Sequence, residues 1–156
     1  MAQAGKWKVY EQTKLNLGKG VFDLTAGTYN MALYLSTSNA NTLSGSAIKG
    51  DLTNEVANAF GYTTGGVALT GVTYTNAAGV ETFTGGNGLW TAAGGAITAR
   101  FAVVYKVGTF GGLVNPIICV CLLDTTPADV SVADGQQFQV TVAAGGIWTL
   151  SGAATD

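Results

Sequence analysis

Short apolar runs broken by glycine every several residues constrain this chain more than any other feature. Glycine supplies 23 of the 156 residues and proline only two. Glycine accepts the positive φ that tight turns require, so such punctuation marks places where the chain reverses. Between the turns the apolar residues alternate. Tyr29, Met31, Leu33 and Leu35 occupy every second position, as do Ile97, Ala99, Phe101, Val103 and Tyr105. A period of two places such residues on one face of a strand. The glycines keep no strict three-residue period, which excludes a collagen helix.

Followed along its length, the chain yields about nine or ten strands separated by turn signals, the pattern of an antiparallel sandwich or barrel. Lys6–Leu17 alternates loosely and reads as one or two strand segments. Val21–Leu24, Thr28–Leu35, Val67–Tyr74, Val80–Thr84, Leu89–Thr91, Ile97–Tyr105, Leu113–Leu123, Phe138–Val142 and Ile147–Leu150 follow. Asn76–Gly79 is a hairpin turn, and Gly71 marks a bulge. The one helical pattern is Asp51–Phe60, where Leu52, Val56 and Ala59 recur at helical spacing, Asp51 or Thr53 caps the start and Gly61 ends it. The expected fold is therefore all-β: one antiparallel β-sandwich or jelly-roll-like barrel with one short helix. It forms a single domain over residues 1–156, with residues 1–12 as an extended N-terminal arm or edge strand. The expected core contains Leu33, Leu35, Phe101, Val103, Tyr105, Ile118, Val120 and Leu122, or the opposite parity on the last strand.

Composition narrows the chemistry. Histidine is absent, which excludes histidine acid–base catalysis, Ser–His and Cys–His triads and histidine-ligated metals. Cys119 and Cys121, two apart on a strand, share a face but lie too far apart for a disulfide. They read as two small buried thiols, reduced as in a cytosol. No apolar h-region opens the chain, and its longest apolar run, Ile117–Leu123, is far short of the roughly 18 residues of a membrane span. The expectation is no membrane, with synthesis in a cytoplasm.

Charged residues make up 10% of the chain, and the net charge is −2. Nothing resembles the basic footprint of a nucleic-acid binder. The charges are unevenly spread. Lys6, Lys8, Lys14 and Lys19 face only Glu11 within residues 1–20, a net +3, whereas the remainder carries eight acids against Lys49, Arg100 and Lys106, a net −5. Such a basic segment can meet an acidic neighbour, or its lysines can solvate an edge strand.

The remaining candidates for chemistry read as structure. Gly65-Gly66, Gly85-Gly86-Asn87-Gly88 and Gly94-Gly95 lack the spacing and following helix of a phosphate loop. Asp51 and Glu55 would share a helical face, but a helix N-terminus itself favours acids. Asp124, Asp129 and Asp134 lie in one loop without calcium-loop spacing. Trp7, Trp90 and Trp148 are the residues on which a sugar would stack. No cofactor, metal or catalytic residue is expected, and the chain reads as no enzyme.

Several segments taken in order carry a resemblance. They are Lys14–Gly18, Phe22–Leu24, Met31–Leu43, Leu52–Asn58, Gly61–Leu69, Trp90–Ala92 and Ile97–Tyr105. This succession resembles small structural proteins encoded among the head genes of tailed bacteriophages, some of them capsid cement or decoration proteins. The likeness covers most of residues 14–105 and does not extend to the C-terminal third. It implies a non-enzymatic homo-oligomer in the virion, made in the host bacterial cytoplasm, that binds the major capsid protein or other virion proteins. A tail or head–tail connector component and a glycan-binding fibre module are the alternatives.

One or both of two segments are expected to contact a neighbour, the alternative being that Trp7 packs into its own domain as an ordinary first strand. The basic N-terminal arm offers Lys6, Trp7, Lys8 and Tyr10, with aromatic anchors of the kind enriched at interface hot spots. The polar loop Ser36–Gly50 offers Ser38, Asn39 and Asn41; long loops often carry function.

Overall fold

The computed structural model describes residues 5–42, 48–126 and 128–151. In chain order its elements are β1 (Lys8–Val9), α1 (Glu11–Gly18), β2 (Tyr29–Tyr34), a 3₁₀ turn (Lys49–Asp51), β3 (Val67–Ala68), β4 (Thr73–Ala77), β5 (Val80–Thr84), β6 (Gly88–Thr91), β7 (Ile97–Ala99), β8 (Phe101–Lys106), β9 (Thr109–Phe110), β10 (Leu113–Val114), β11 (Ile117–Leu122), β12 (Val130–Val132), β13 (Gln137–Val140) and β14 (Trp148–Ser151). The fold is all-β with one short α-helix, and the strand pairs are antiparallel.

A five-stranded sheet in the order β1-β11-β8-β2-β3 forms the centre, and smaller ladders, β14-β5-β4, β13-β6, β12-β7 and β10-β9, complete the set. The larger apolar cluster joins Met31, Leu33, Ala102 and Val104 of the central sheet to Phe83, Trp90, Ile97 and Phe138 of the smaller ladders. A second cluster on the other face holds Ala32, Tyr34, Phe101, Val103, Tyr105, Ile117 and Val120 under Tyr10 and Ala40. The central sheet is thus covered on both sides. That divides the expected core between two clusters and leaves Leu35, just past β2, exposed.

In β11 the register shifts between Ile117, opposite Tyr105, and Cys119, opposite Val104. Ile118 is the extra residue of a bulge, so strict alternation fails there. Gly71 has φ +57 and lies at the corner between β3 of the central sheet and β4 of another, rather than at a bulge within one strand. Ile97–Tyr105 similarly divides at Arg100, where the chain passes from the β12 ladder to the central sheet. Val21–Leu24 forms bends rather than a strand.

The helix lies elsewhere than expected. Glu11–Gly18, read as strand as far as Leu17, is α1, whose buried residues are the polar Thr13 and Asn16. The Thr13 hydroxyl donates to the Ile117 carbonyl and pins the helix to β11. Because this helix shows no apolar stripe, hydrophobic periodicity gives no sign of it. Asp51–Phe60 is not an α-helix. Leu35 N–H donates to Asn54 O at 2.9 Å and Val56 N–H to Leu33 O at 2.9 Å, so residues 54–56 run beside β2, with Glu55 bridged to Tyr34. Leu52 packs against one cluster while Val56 belongs to the other, an arrangement a single helical face cannot provide.

Candidate functional site

A cleft of about 810 Å³ opens where β1, α1 and the bend at 22–25 face β14 and Tyr74 of β4. Lys8 and Val9 form one wall with Lys14 and Leu17, and Trp148, Thr149 and Leu150 form the other. β1 and β14 are both edge strands of their sheets. Trp148 and Tyr74 give the lining its aromatic part. The Trp148 ring stacks on Phe83 with centroids 5.7 Å apart and an interplanar angle of 29°, and lies 5.8 Å from Tyr74. Leu150, which also lines the cleft, is 57% exposed.

The bend at 22–25 is held from beneath by a buried cation. Lys106, at the end of β8, is 3% exposed. Its Nζ donates to Asp23 O at 2.9 Å, to Ala26 O and to the Tyr29 hydroxyl at 3.1 Å. It also lies 4.8 Å from the Tyr29 ring centroid and 5.0 Å from that of Phe110. Burial lowers its pKa below the ordinary lysine value. The Asp23 carboxylate accepts from the Thr25 hydroxyl at 2.7 Å, the Thr25 amide at 2.6 Å and the Ala26 amide at 3.2 Å. The Thr25 bonds come first in holding its pKa below the usual carboxylate range. The residues lining the cleft include two cations, Lys8 and Lys14, and two carboxylates, Glu11 and Asp23.

The residues expected at an interface divide. Lys6, Lys8 and Asn41 are exposed, and Trp7, Ser38 and Asn39 are half-buried. Trp7 packs against the larger cluster. Tyr10 is 3% exposed and so is a core residue rather than a surface anchor. Its hydroxyl donates to the Ala40 carbonyl, so the arm and the polar loop meet each other inside the chain. Asn39 is likewise engaged: its Nδ2 donates to Asp51 O at 3.0 Å, and its Oδ1 accepts from the Thr53 amide at 2.9 Å. Of residues 1–12, Lys8 and Val9 form an edge strand, with Lys8 opposite Val120 and Val9 opposite Cys119, and Glu11 and Gln12 begin α1.

The other sequence candidates occupy separate local structures. Glu55 accepts from Gly65 N–H at 2.5 Å and pairs with Lys49 at 2.6 Å. Asp124 accepts from the Thr126 hydroxyl at 2.7 Å, Asp129 pairs with Arg100 at 2.7 Å, and Asp134 accepts from Gly94 N–H at 2.8 Å. Among the described residues no three His, Cys, Asp or Glu side chains converge on a metal position. Trp90 is 3% exposed and belongs to the core. Cys119 and Cys121 are free and buried. No helix of the described residues is long and apolar enough to cross a membrane.

Sequence reasoning missed most of the cleft. Glu11, Lys14, Leu17, Phe22, Tyr74 and Leu150 come together only through tertiary contact. The local signals were Lys8 and Lys14 of the basic N-terminal segment and Trp148, a large aromatic residue on the last strand.

Compared with known proteins, the chain matches no family model, no curated protein and no solved structure.

Proposed function

We propose that this chain is a non-enzymatic structural protein of a tailed-bacteriophage virion, a capsid cement or decoration protein that binds the outer shell and stabilises it. The observation that carries this reading is the apolar cleft beside β1 and β14, both edge strands, a kind of surface suited to a neighbouring polypeptide. The order of segments over residues 14–105 points the same way. Low charge suits the role, because a surface with few solvated ions loses little hydration when a neighbour covers it. The mechanism is linkage: a protein that binds only the assembled shell stabilises that state by mass action.

The test is co-sedimentation with capsids lacking this protein, followed by reconstruction of the decorated particle. Density over the whole shell supports the reading, density confined to the tail or connector gives the chain a place there, and no binding refutes it.

A glycan-binding fibre module is the second reading, favoured by Trp148 and Tyr74 in the cleft wall. A glycan array separates the two: specific binding lost in Trp148→Ala supports the fibre module.

A further inference from the structure

We propose that Asn87 and Gly88 form a self-modification site, where the asparagine side chain cyclises onto the glycine nitrogen and hydrolyses to aspartate and isoaspartate in the native protein. This is independent of whether the protein belongs to a virion. Of the nine asparagines, Asn87 alone is followed by glycine. Ring closure requires the next residue's amide nitrogen to reach the side-chain carbonyl carbon. A glycine there puts no Cβ in the way and lets the backbone turn toward it. Asn115, by contrast, is followed by proline, whose nitrogen has no proton to lose.

The pair lies at the border of a loop and a strand. Asn87 is exposed, and Gly88 is the first residue of β6, where the ladder to β13 ends with Gly88 opposite Val140. Ladder ends open at low cost, and opening this one frees Gly88 to meet the Asn87 side chain. Asn87 Oδ1 accepts from Val142 N–H at 2.8 Å. That bond ties the loop to the segment after β13 and draws electron density from the carbon that is attacked. Packing explains why so reactive a pair is kept. A Cβ at Gly88 would lie 2.6 Å from Met31 Sδ and 2.9 Å from Trp90 Cη2, and one at Gly86 would lie 2.5 Å from Thr70 Oγ1. The cluster Gly85-Gly86-Asn87-Gly88 is thus fixed by close contact, and its reactivity follows.

In the first step Gly88 N gives its proton to solvent, the N–Cγ bond forms, the Cγ–Nδ2 bond breaks and ammonia leaves. Water then opens the succinimide at either carbonyl. Breaking the Cγ–N bond restores the normal backbone and gives aspartate. Its carboxylate still accepts Val142 N–H, now as a charge-assisted bond. Breaking the bond to the backbone carbonyl gives isoaspartate, whose main chain runs through Cβ and Cγ. The added backbone carbon displaces either the Val142 clasp or the wedge of Gly88 between Met31 and Trp90, so the end of the β6–β13 ladder opens. Asp134-Gly135 reaches the same ring by losing water. Its mass is unchanged overall, so the two sites are distinguishable.

Peptide mapping by mass spectrometry tests this, with wild type sampled over time in mildly alkaline buffer below the phenol range. The mass gain of an amide becoming an acid should appear at Asn87 before any other asparagine. It should appear as a mixture of aspartate and isoaspartate, separated by electron-transfer fragmentation. Heavy-oxygen water should leave one labelled oxygen in the product. The rate should rise with pH, and the urea-unfolded chain should convert faster than the native one. Asn87→Gln, whose longer side chain closes the ring poorly, should lose the gain at this position. In hydrogen exchange Asn87→Asp should keep the protection of residues 88–91 and 137–140, and the isoaspartate fraction should lose it. Asn87 still intact in native protein once the unfolded chain has converted overturns the proposal. So does earlier conversion of another asparagine, aspartate formed without isoaspartate, or an isoaspartate fraction as protected as the wild type.

Discussion

The Tyr62 hydroxyl donates to Glu55 Oε1 at 2.7 Å while accepting from the Leu33 amide at 3.0 Å. The phenol therefore bridges the backbone of β2 to a half-buried carboxylate. Glu55 also receives Gly65 N–H and pairs with Lys49, so one side chain ties together three separate stretches of chain. Glu55→Ala leaves the Tyr62 hydroxyl and the Gly65 amide without their acceptor. It should cost about 2–3 kcal/mol in urea unfolding. Glu55→Gln, which keeps an acceptor oxygen, should cost less.

Two turn positions with positive φ should respond in opposite directions. Gly66 has φ +74, and a Cβ there would lie 1.8 Å from Met31 O. Gly66→Ala should destabilise by about 3 kcal/mol or more, from backbone strain and from overpacking against a fixed carbonyl. In the β4–β5 hairpin, Ala78 and Gly79 form the two-residue loop with φ 51 and 78. Asparagine and glycine suit the first position of such a turn better than alanine. Ala78→Asn or Ala78→Gly should raise stability by about 0.5–1 kcal/mol. Thermal melts of the three variants give both signs.

Alkali should unfold the protein cooperatively. Burial raises the pKa of Tyr10, Tyr29, Tyr34 and Tyr62 above the ordinary phenol value of 10.0, with the Glu55 charge adding to the rise at Tyr34 and Tyr62. Between the unfolded and folded values the native chain holds more protons than the unfolded one. Stability from these groups is therefore complete below about pH 10 and is lost as pH rises beyond it. Lys106 acts in the opposite sense, because its lowered pKa makes the unfolded chain bind more protons below 10.5. Four tyrosines outweigh one lysine. Phenolate absorbance should rise together with loss of the β-sheet circular dichroism signal, and independent titration of these tyrosines in a folded chain would contradict this.

The thiols should be inert in the folded protein. Burial pushes Cys121 up to about 11 and Cys119 well above the ordinary thiol value, so little reactive thiolate exists at neutral pH. An aromatic disulfide reagent should react slowly with native protein and with both thiols once it is unfolded. Rapid reaction of native protein would show that the β1–β11 edge opens.

The sequence by itself determined the all-β class, the strongest strands and many of the turns between them. Alternation at Thr28–Leu35 and Ile97–Tyr105, and glycine at the reversals, are local properties that require no knowledge of partners. Tertiary structure alone decided the helix, the sharing of the core and the cleft. Residues 11–18 became the helix because Thr13 reaches Ile117, more than a hundred positions away, whereas Asp51–Phe60 lost its helical pattern to backbone bonds with β2 and to the contacts of Glu55. Alternation could assign Phe101 and Val103 to one face but could not tell that the opposite face was covered as well. The cleft joins residues 8–25 to Tyr74 and to residues 148–150. Periodicity reports only which side of one element avoids water. Which elements then meet depends on closing long loops and pairing distant edges, and those long-range contacts leave no mark in any single stretch of sequence.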